Sequence, residues 1–194
     1  MKRFFLMPLT LFFCISLFGC ESYSNSHTKI EKTKSTNIAL TNDFKSIDSI
    51  KKQLDKLAKK HSNKATLNEV FIHAPEGNLK NSTAYFIYYS ESKGNATKIT
   101  YKINVADKKI VESKVQQGYP DEIGGAIPAA EFDTSVDIQE LIDKTIDSDD
   151  FEKIKPDSSK PYDIEINFFA SEIRITANES SKVIFEKSIK EQAV

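Results

Sequence analysis

Thiols and imidazoles are few in this 194-residue sequence. Its thiols are Cys14 and Cys20, its imidazoles His27, His61 and His73, and its densest carboxylate run is Asp147, Asp149, Asp150 and Glu152. Cys20 has the clearest chemical setting. It closes an opening stretch that starts with Lys2 and Arg3, runs apolar from Phe4 to Phe18 apart from Pro8, Thr10 and Ser16, and then reaches Gly19. A basic start, an apolar middle and a small residue before a cut form the layout of a secretory signal. The apolar run is about 15 residues, short of the roughly 20 a spanning helix needs, so a permanent span is disfavoured.

Leu17-Phe18-Gly19-Cys20 resembles the lipobox of bacterial lipoproteins. The resemblance covers the signal alone and implies that the Cys20 thiol takes a diacylglyceryl group and that residues 1–19 are removed. That family favours a small residue two places before the cysteine, where this chain has Phe18. Cys14 would leave with the signal, so the mature chain would carry neither a disulfide nor a spare thiol. At about 0.8 kcal/mol per buried methylene one acyl chain binds a bilayer marginally and two bind it stably. The implied address is the outer face of the cytoplasmic membrane, with the membrane as partner through the anchor. Arg3 and Arg174 are the only arginines among 27 basic residues, a bias that reads as the codon usage of an AT-rich genome. With the lipobox it points to a low-GC Gram-positive bacterium.

The remaining groups do not assemble into a reaction on paper. A serine triad needs a histidine oriented by a carboxylate. His27 falls in a polar leader, His61 on the apolar stripe of a helix as a half-buried packing residue, and His73 at a strand end. No helical His pair or paired cysteines mark a zinc site. In the acidic run, Glu152 and Ser158 stand where an EF-hand requires glycine and glutamate, so a solvated turn is expected instead. Gly124-Gly125 lacks the Lys-Ser/Thr of a phosphate loop, and Asp121 and Glu122 are adjacent and would point apart in extended chain. No cofactor is expected. Taking Lys2 and Arg3 from the 27 basic residues leaves 25 against 28 acidic ones, a charge of about −3 that offers no broad basic field for nucleic acid.

These residues have to be positioned by a scaffold whose periodicity is readable. Residues 20–42 are Ser, Thr, Asn and Lys with scattered apolar positions and read as a flexible tether from the anchor. Residues 43–194 read as one α+β extracytoplasmic domain. Phe44, Ile47, Ile50, Leu54, Leu57, Ala58 and His61 recur at helical spacing, predicting an amphipathic helix over 43–61 with Asp43 as N-cap. Its lysines complement the helix dipole and could also meet a membrane. The period then becomes two, predicting strands near 66–73, 83–91, 96–106 and 109–116. Tyr85-Phe86-Ile87-Tyr88-Tyr89 is apolar on both faces, as in a central strand; its rings could otherwise stack on a sugar or a partner.

Gly118, Tyr119, Pro120, Asp121, Glu122, Gly124, Gly125 and Pro128 form the richest backbone punctuation of the mature chain. This stretch is the candidate recognition loop. Asp137 and Glu140 make a capping pattern for a second amphipathic helix over 135–147, followed by strands near 162–169, 172–178 and 182–189, the last with Val183 and Phe185 or the Ile184 side inward. The expected fold is two amphipathic helices on antiparallel meander sheets of about seven strands. Residues 43–116 and 135–189 share a helix-then-meander plan, as a diverged duplication would. Tyr101 to Asp107 followed by Lys109-Ile110-Val111 resembles the closing hairpin of PepSY-type domains, a likeness that implies modulation or inhibition of an envelope protease and transfers no site residue. The overall expectation is a tethered, non-enzymatic domain that binds an envelope protein or cell-wall partner, with a cell-wall hydrolase as the contrasting reading.

Overall fold

The computed structural model describes residues 29–124, 133–153, 161–168, 170–177 and 182–188. Cys20 with the whole signal, and Gly125, lie outside them. The architecture is α+β. Its elements are β1 (Lys29–Ala39), α1 (Ile47–Ala58), β2 (Thr66–Pro75), β3 (Thr83–Ser92), β4 (Asn95–Asn104), β5 (Lys109–Gly118), α2 (Ile138–Ile146), α3 (Asp149–Glu152), β6 (Tyr162–Asn167), β7 (Glu172–Ala177) and β8 (Lys182–Ser188). One eight-stranded antiparallel sheet holds them in the order β1-β5-β4-β3-β2-β6-β7-β8. Two meanders, β2 to β5 and β6 to β8, therefore run outward from a central antiparallel pair in which Phe71 faces Asn167 and Pro75 faces Asp163.

The core explains why the chain closes this way. Alternation places Val70, Ile72 and Ala74 of β2, Ala84, Phe86 and Tyr88 of β3, and Ile99, Tyr101 and Ile103 of β4 in one buried cluster. Ile164, Ile166, Ile173 and Ile175 continue it across β6 and β7. The buried stripe of α1, Ile47, Ile50, Leu54 and Ala58, and that of α2, Ile138, Leu141 and Ile142, belong to the same cluster. Both helices thus cover one face of the sheet, because neither stripe could leave water without a sheet beneath it.

Residues 29–39 correct the tether reading. They form an edge strand whose backbone pairs with β5 from Lys29–Gln117 to Ala39–Lys109. Thr36 Oγ1 donates to the Ile110 carbonyl at 3.0 Å, and Gln53 of α1 clamps the strand's exit by donating Nε2 to the Ala39 carbonyl and accepting from Thr41 N, both at 2.8 Å. An edge strand needs backbone partners more than apolar side chains, so a polar sequence suffices. Its lysines suit an edge that must not recruit another chain.

Local caps and one register shift set three element boundaries apart from the sequence expectation. The first helix starts at Ile47, not 43, because Ser49 Oγ accepts from Ser46 N at 3.4 Å and donates to the Ser46 carbonyl at 2.6 Å. Asp43 instead pairs with Lys108 at 2.6 Å. The acidic run holds a short third helix, α3, where Ser148 Oγ accepts from Phe151 N at 3.3 Å and the fully buried Phe151 ring packs 5.7 Å from Tyr162 and 6.1 Å from Phe185. In β8 a register shift opposite Ile175 and Thr176 breaks the alternation, so Ile184 and Phe185 both pack on the core while Val183 is exposed. Asp137 does cap α2, its Oδ1 accepting from Glu140 N at 3.0 Å.

Candidate functional site

Both described amphipathic helices cover one face, and no described helix covers the other. Cross-strand partners put Lys102, Tyr85, Phe71 and Asn167 in one row across β4, β3, β2 and β6. Thr100, Ile87 and Glu69 form the next row, and Lys98 lies beside Tyr89 beyond it. The Phe71 and Tyr85 rings are 6.2 Å apart, and Lys102 Nζ stands 5.8 Å from the centre of the Tyr85 ring. Phe71, Tyr85 and Ile87 are half-buried by their neighbours alone. The aromatic run is thus split: Phe86 and Tyr88 belong to the core, Tyr85 and Ile87 to the open face.

Charge is segregated across this face. Lys98, Lys102 and Lys114 outnumber the one carboxylate, Glu112 opposite Lys102, that the same register places on the β4–β5 side. Asp163, Glu165 and Glu172 lie on the β6–β7 side. His73 Nε2 is 3.2 Å from Asp163 Oδ2. Arg174 bridges Glu172 at 2.8 Å and Glu186 at 3.0 Å. The Glu172 carboxyl is held above its usual range, first by its hydrogen bond with Glu186 and then by burial, against the pull of Arg174.

The candidate recognition loop closes one end of this face. Gly118 pairs with Ala96, and the chain then turns so that Tyr119 N donates to Glu122 Oε2 at 3.1 Å while Glu122 N and Ile123 N donate to the Tyr119 carbonyl. Ile123 packs on Tyr89 and Ala96 as a small second core. Burial, and then the nearby Glu91, push the Tyr89 phenol up. Gly124 has φ +84° and lies against Lys98, a backbone state that glycine adopts without strain. Tyr119 is 45% exposed and Asp121 is exposed, so the loop offers both a ring and a charge.

His27 lies outside the described residues, and His61 and His73 do not converge. His61 lies in the turn after α1 and is exposed, which corrects its reading as a packing residue, because the helix ends at Ala58. His73 lies on the open face of β2. Among the described residues no three His, Cys, Asp or Glu side chains are grouped to hold a metal. A cleft of 460 Å³, missed by the sequence reading, opens beside the α1 entry, with Phe44, Leu79 and Val105 as floor and Lys45, Lys80 and Lys108 at its rim. Gln139 of α2 braces it, accepting from Leu79 N at 3.2 Å and donating to Asp143 at 2.7 Å.

No family model, curated protein or solved structure matches the chain. No helix among the described residues is long and apolar enough to cross a membrane.

Proposed function

We propose that this chain is an exported lipoprotein, anchored through acylated Cys20 at the outer face of the cytoplasmic membrane, whose α+β domain is a non-enzymatic binding module. The open sheet face carries the reading. Phe71, Tyr85 and Ile87 form an apolar stripe with no described helix over it, between a flank where lysines predominate and one where carboxylates do. Such a surface fits an envelope protein that offers an apolar segment between charges of the opposite order. The paired meanders support a further part of the reading, that residues 43–116 and 135–189 descend from a duplication whose first strands now pair at the centre.

Two measurements test this. Metabolic labelling with a fatty-acid analogue is lost in Cys20→Ala; retained label removes the anchor. A photoreactive residue at Ile87 in intact cells yields a discrete crosslinked protein, and the same residue at Lys52, on the helix side, does not. Equal crosslinking at both positions removes the open face as the binding surface. A modulator of an envelope protease is the form this module takes if that crosslinked protein is a protease whose activity changes when the domain is added.

A further inference from the structure

The two ends of the sheet differ in charge, and the end where the chain arrives from residue 28 is the basic one. Lys29 pairs with Gln117, so β1 begins where β5 finishes. At the same end β4 begins, β3 finishes and β2 begins, as the pairs Ala96–Gly118, Ser92–Asn95 and Thr66–Tyr89 show. The short turn from Ala58 to Thr66 brings the C-terminus of α1 there too.

Lys56, Lys59, Lys60, Lys64, Lys93 and Lys98 lie at this end, all exposed except the half-buried Lys98. The carboxylates among them are Asp55, already engaged by Tyr88 and Lys51, and Glu91, Asp121 and Glu122, while residues 56–64 contain four lysines and no acid. At the opposite end Asp43, Glu76, Asp107, Asp133 and Asp137 outnumber the lysines 45, 80, 108 and 109. Complementing the α1 dipole accounts for Lys56 and Lys59. It does not account for Lys60, Lys64 or Lys93, which lie in turns beyond any helix. Tyr119, 45% exposed, stands at this same end, and its amphipathic ring is of the kind that settles at headgroup level.

Distance makes the asymmetry consequential. With β1 starting at Lys29, only residues 20–28 separate an anchor at Cys20 from the sheet, and nine residues cannot span more than about 30 Å. An anionic bilayer attracts lysines only within about a Debye length, roughly 8 Å at physiological ionic strength. We propose that the lysine-rich end formed by residues 56–64, the β3–β4 turn and Tyr119 docks on anionic phospholipid, holding the anchored domain with this end toward the bilayer and the Phe44 cleft away from it. The proposal rests on the lipoprotein reading.

The test uses the full-length chain isolated from membranes and reconstituted into vesicles of phosphatidylcholine, with or without phosphatidylglycerol. An environment-sensitive fluorophore is placed on Asn63→Cys or, in a separate chain, on Asp107→Cys at the far end. The expected result is several-fold stronger quenching by a lipid-borne quencher at position 63 than at 107, on phosphatidylglycerol vesicles only. High salt abolishes it, as does the triple variant Lys59→Glu, Lys60→Glu, Lys64→Glu with an unchanged circular dichroism spectrum. Equal quenching at both positions, or quenching indifferent to phosphatidylglycerol or to the triple variant, overturns the proposal. Flotation with neutral vesicles reads the anchor separately: its loss alongside retained quenching on anionic vesicles removes the anchor and leaves the docking surface standing.

Discussion

Tyr88 on β3 donates its phenol to Asp55 Oδ1 on α1 at 2.8 Å, and Asp55 Oδ2 accepts from Lys51 Nζ at 2.6 Å. The first helix is therefore tied to β3 by a polar link set inside an apolar interface. Tyr88→Phe leaves a carboxylate that still has Lys51 and some water, and should cost about 1–2 kcal/mol. Asp55→Ala strands a fully buried phenol and should cost more, about 2–3 kcal/mol, whereas Lys51→Ala, at the wet end, should cost under about 0.5 kcal/mol. Urea unfolding of the three variants checks the order, and an Asp55 effect no larger than that of Lys51 would contradict it.

Alkali should unfold the domain through two phenols. Burial pushes Tyr101 up to about 12. Burial, then the bond to Asp55, pushes Tyr88 higher still. Because the folded state holds these protons more tightly than an unfolded phenol near 10 does, the stability they contribute is complete below about pH 10. It is lost as pH rises through 10 toward 12 and beyond. Stability measured by denaturant from pH 8 to 12 should fall over that window. In the double variant Tyr88→Phe, Tyr101→Phe the fall should be shallower.

The Tyr101 hydroxyl is buried and has no hydrogen-bond partner among the described residues, while its ring packs edge-on to Tyr88 at 6.0 Å. Replacing it with phenylalanine keeps the ring and relieves the stranded hydroxyl. Tyr101→Phe should be neutral or stabilising at pH 7, by up to about 1 kcal/mol. A loss above that in thermal or urea unfolding would show that the hydroxyl has a partner.

Gly77 couples the end of β2 to α2. Its φ is +69°, and a Cβ there would stand 2.5 Å from Ile146 Cδ1, 3.2 Å from Ile142 Cγ2 and 3.3 Å from Ile164 Cδ1. Backbone strain and three crowded contacts add, so Gly77→Ala should destabilise by about 2–3 kcal/mol. Glu76 next to it is also left-handed, at φ +51°, so Glu76→Gly should be neutral or mildly stabilising. Opposite signs for these neighbours in one thermal-melt series would confirm the reading.

β1 guards the edge of β5. Removing residues 29–39 exposes the β5 backbone along its length. The urea midpoint should drop, and sedimentation should show stronger concentration-dependent association than the full chain shows. A monodisperse truncated chain would argue that the edge is protected in another way.

Much of the fold was legible because its signals are local. Helical recurrence from Ile47 to Ala58 and strict alternation through Ile99, Tyr101 and Ile103 follow from backbone periods of 3.6 and two, which a residue carries wherever its segment packs. Phe151 was harder to read, since one buried ring among acids has no period. β1 was invisible for a different reason: its polar side chains carry no pattern, and its stabilising partner, β5, lies about 80 residues on. The candidate site was half legible. Glycine and proline punctuation marked Gly118 to Pro128 as a loop, of which 118–124 are described, but nothing in that stretch announces that Ile123 seats on Tyr89.

By itself, the sequence determined the near-neutral charge, the helical and strand periods and the Asp137 cap of α2, all properties of neighbours along the chain, and it carries the signal-like layout ending at Cys20 on which the proposed export rests. The tertiary structure decided which face of the sheet the described helices cover, because that depends on two helical stripes about 80 residues apart burying on the same side. It also decided that Lys59, Lys60 and Lys64 share an end with Tyr119 and with the chain's arrival at Lys29. Strand pairing brings together residues whose separation in sequence carries no energetic trace until the sheet forms.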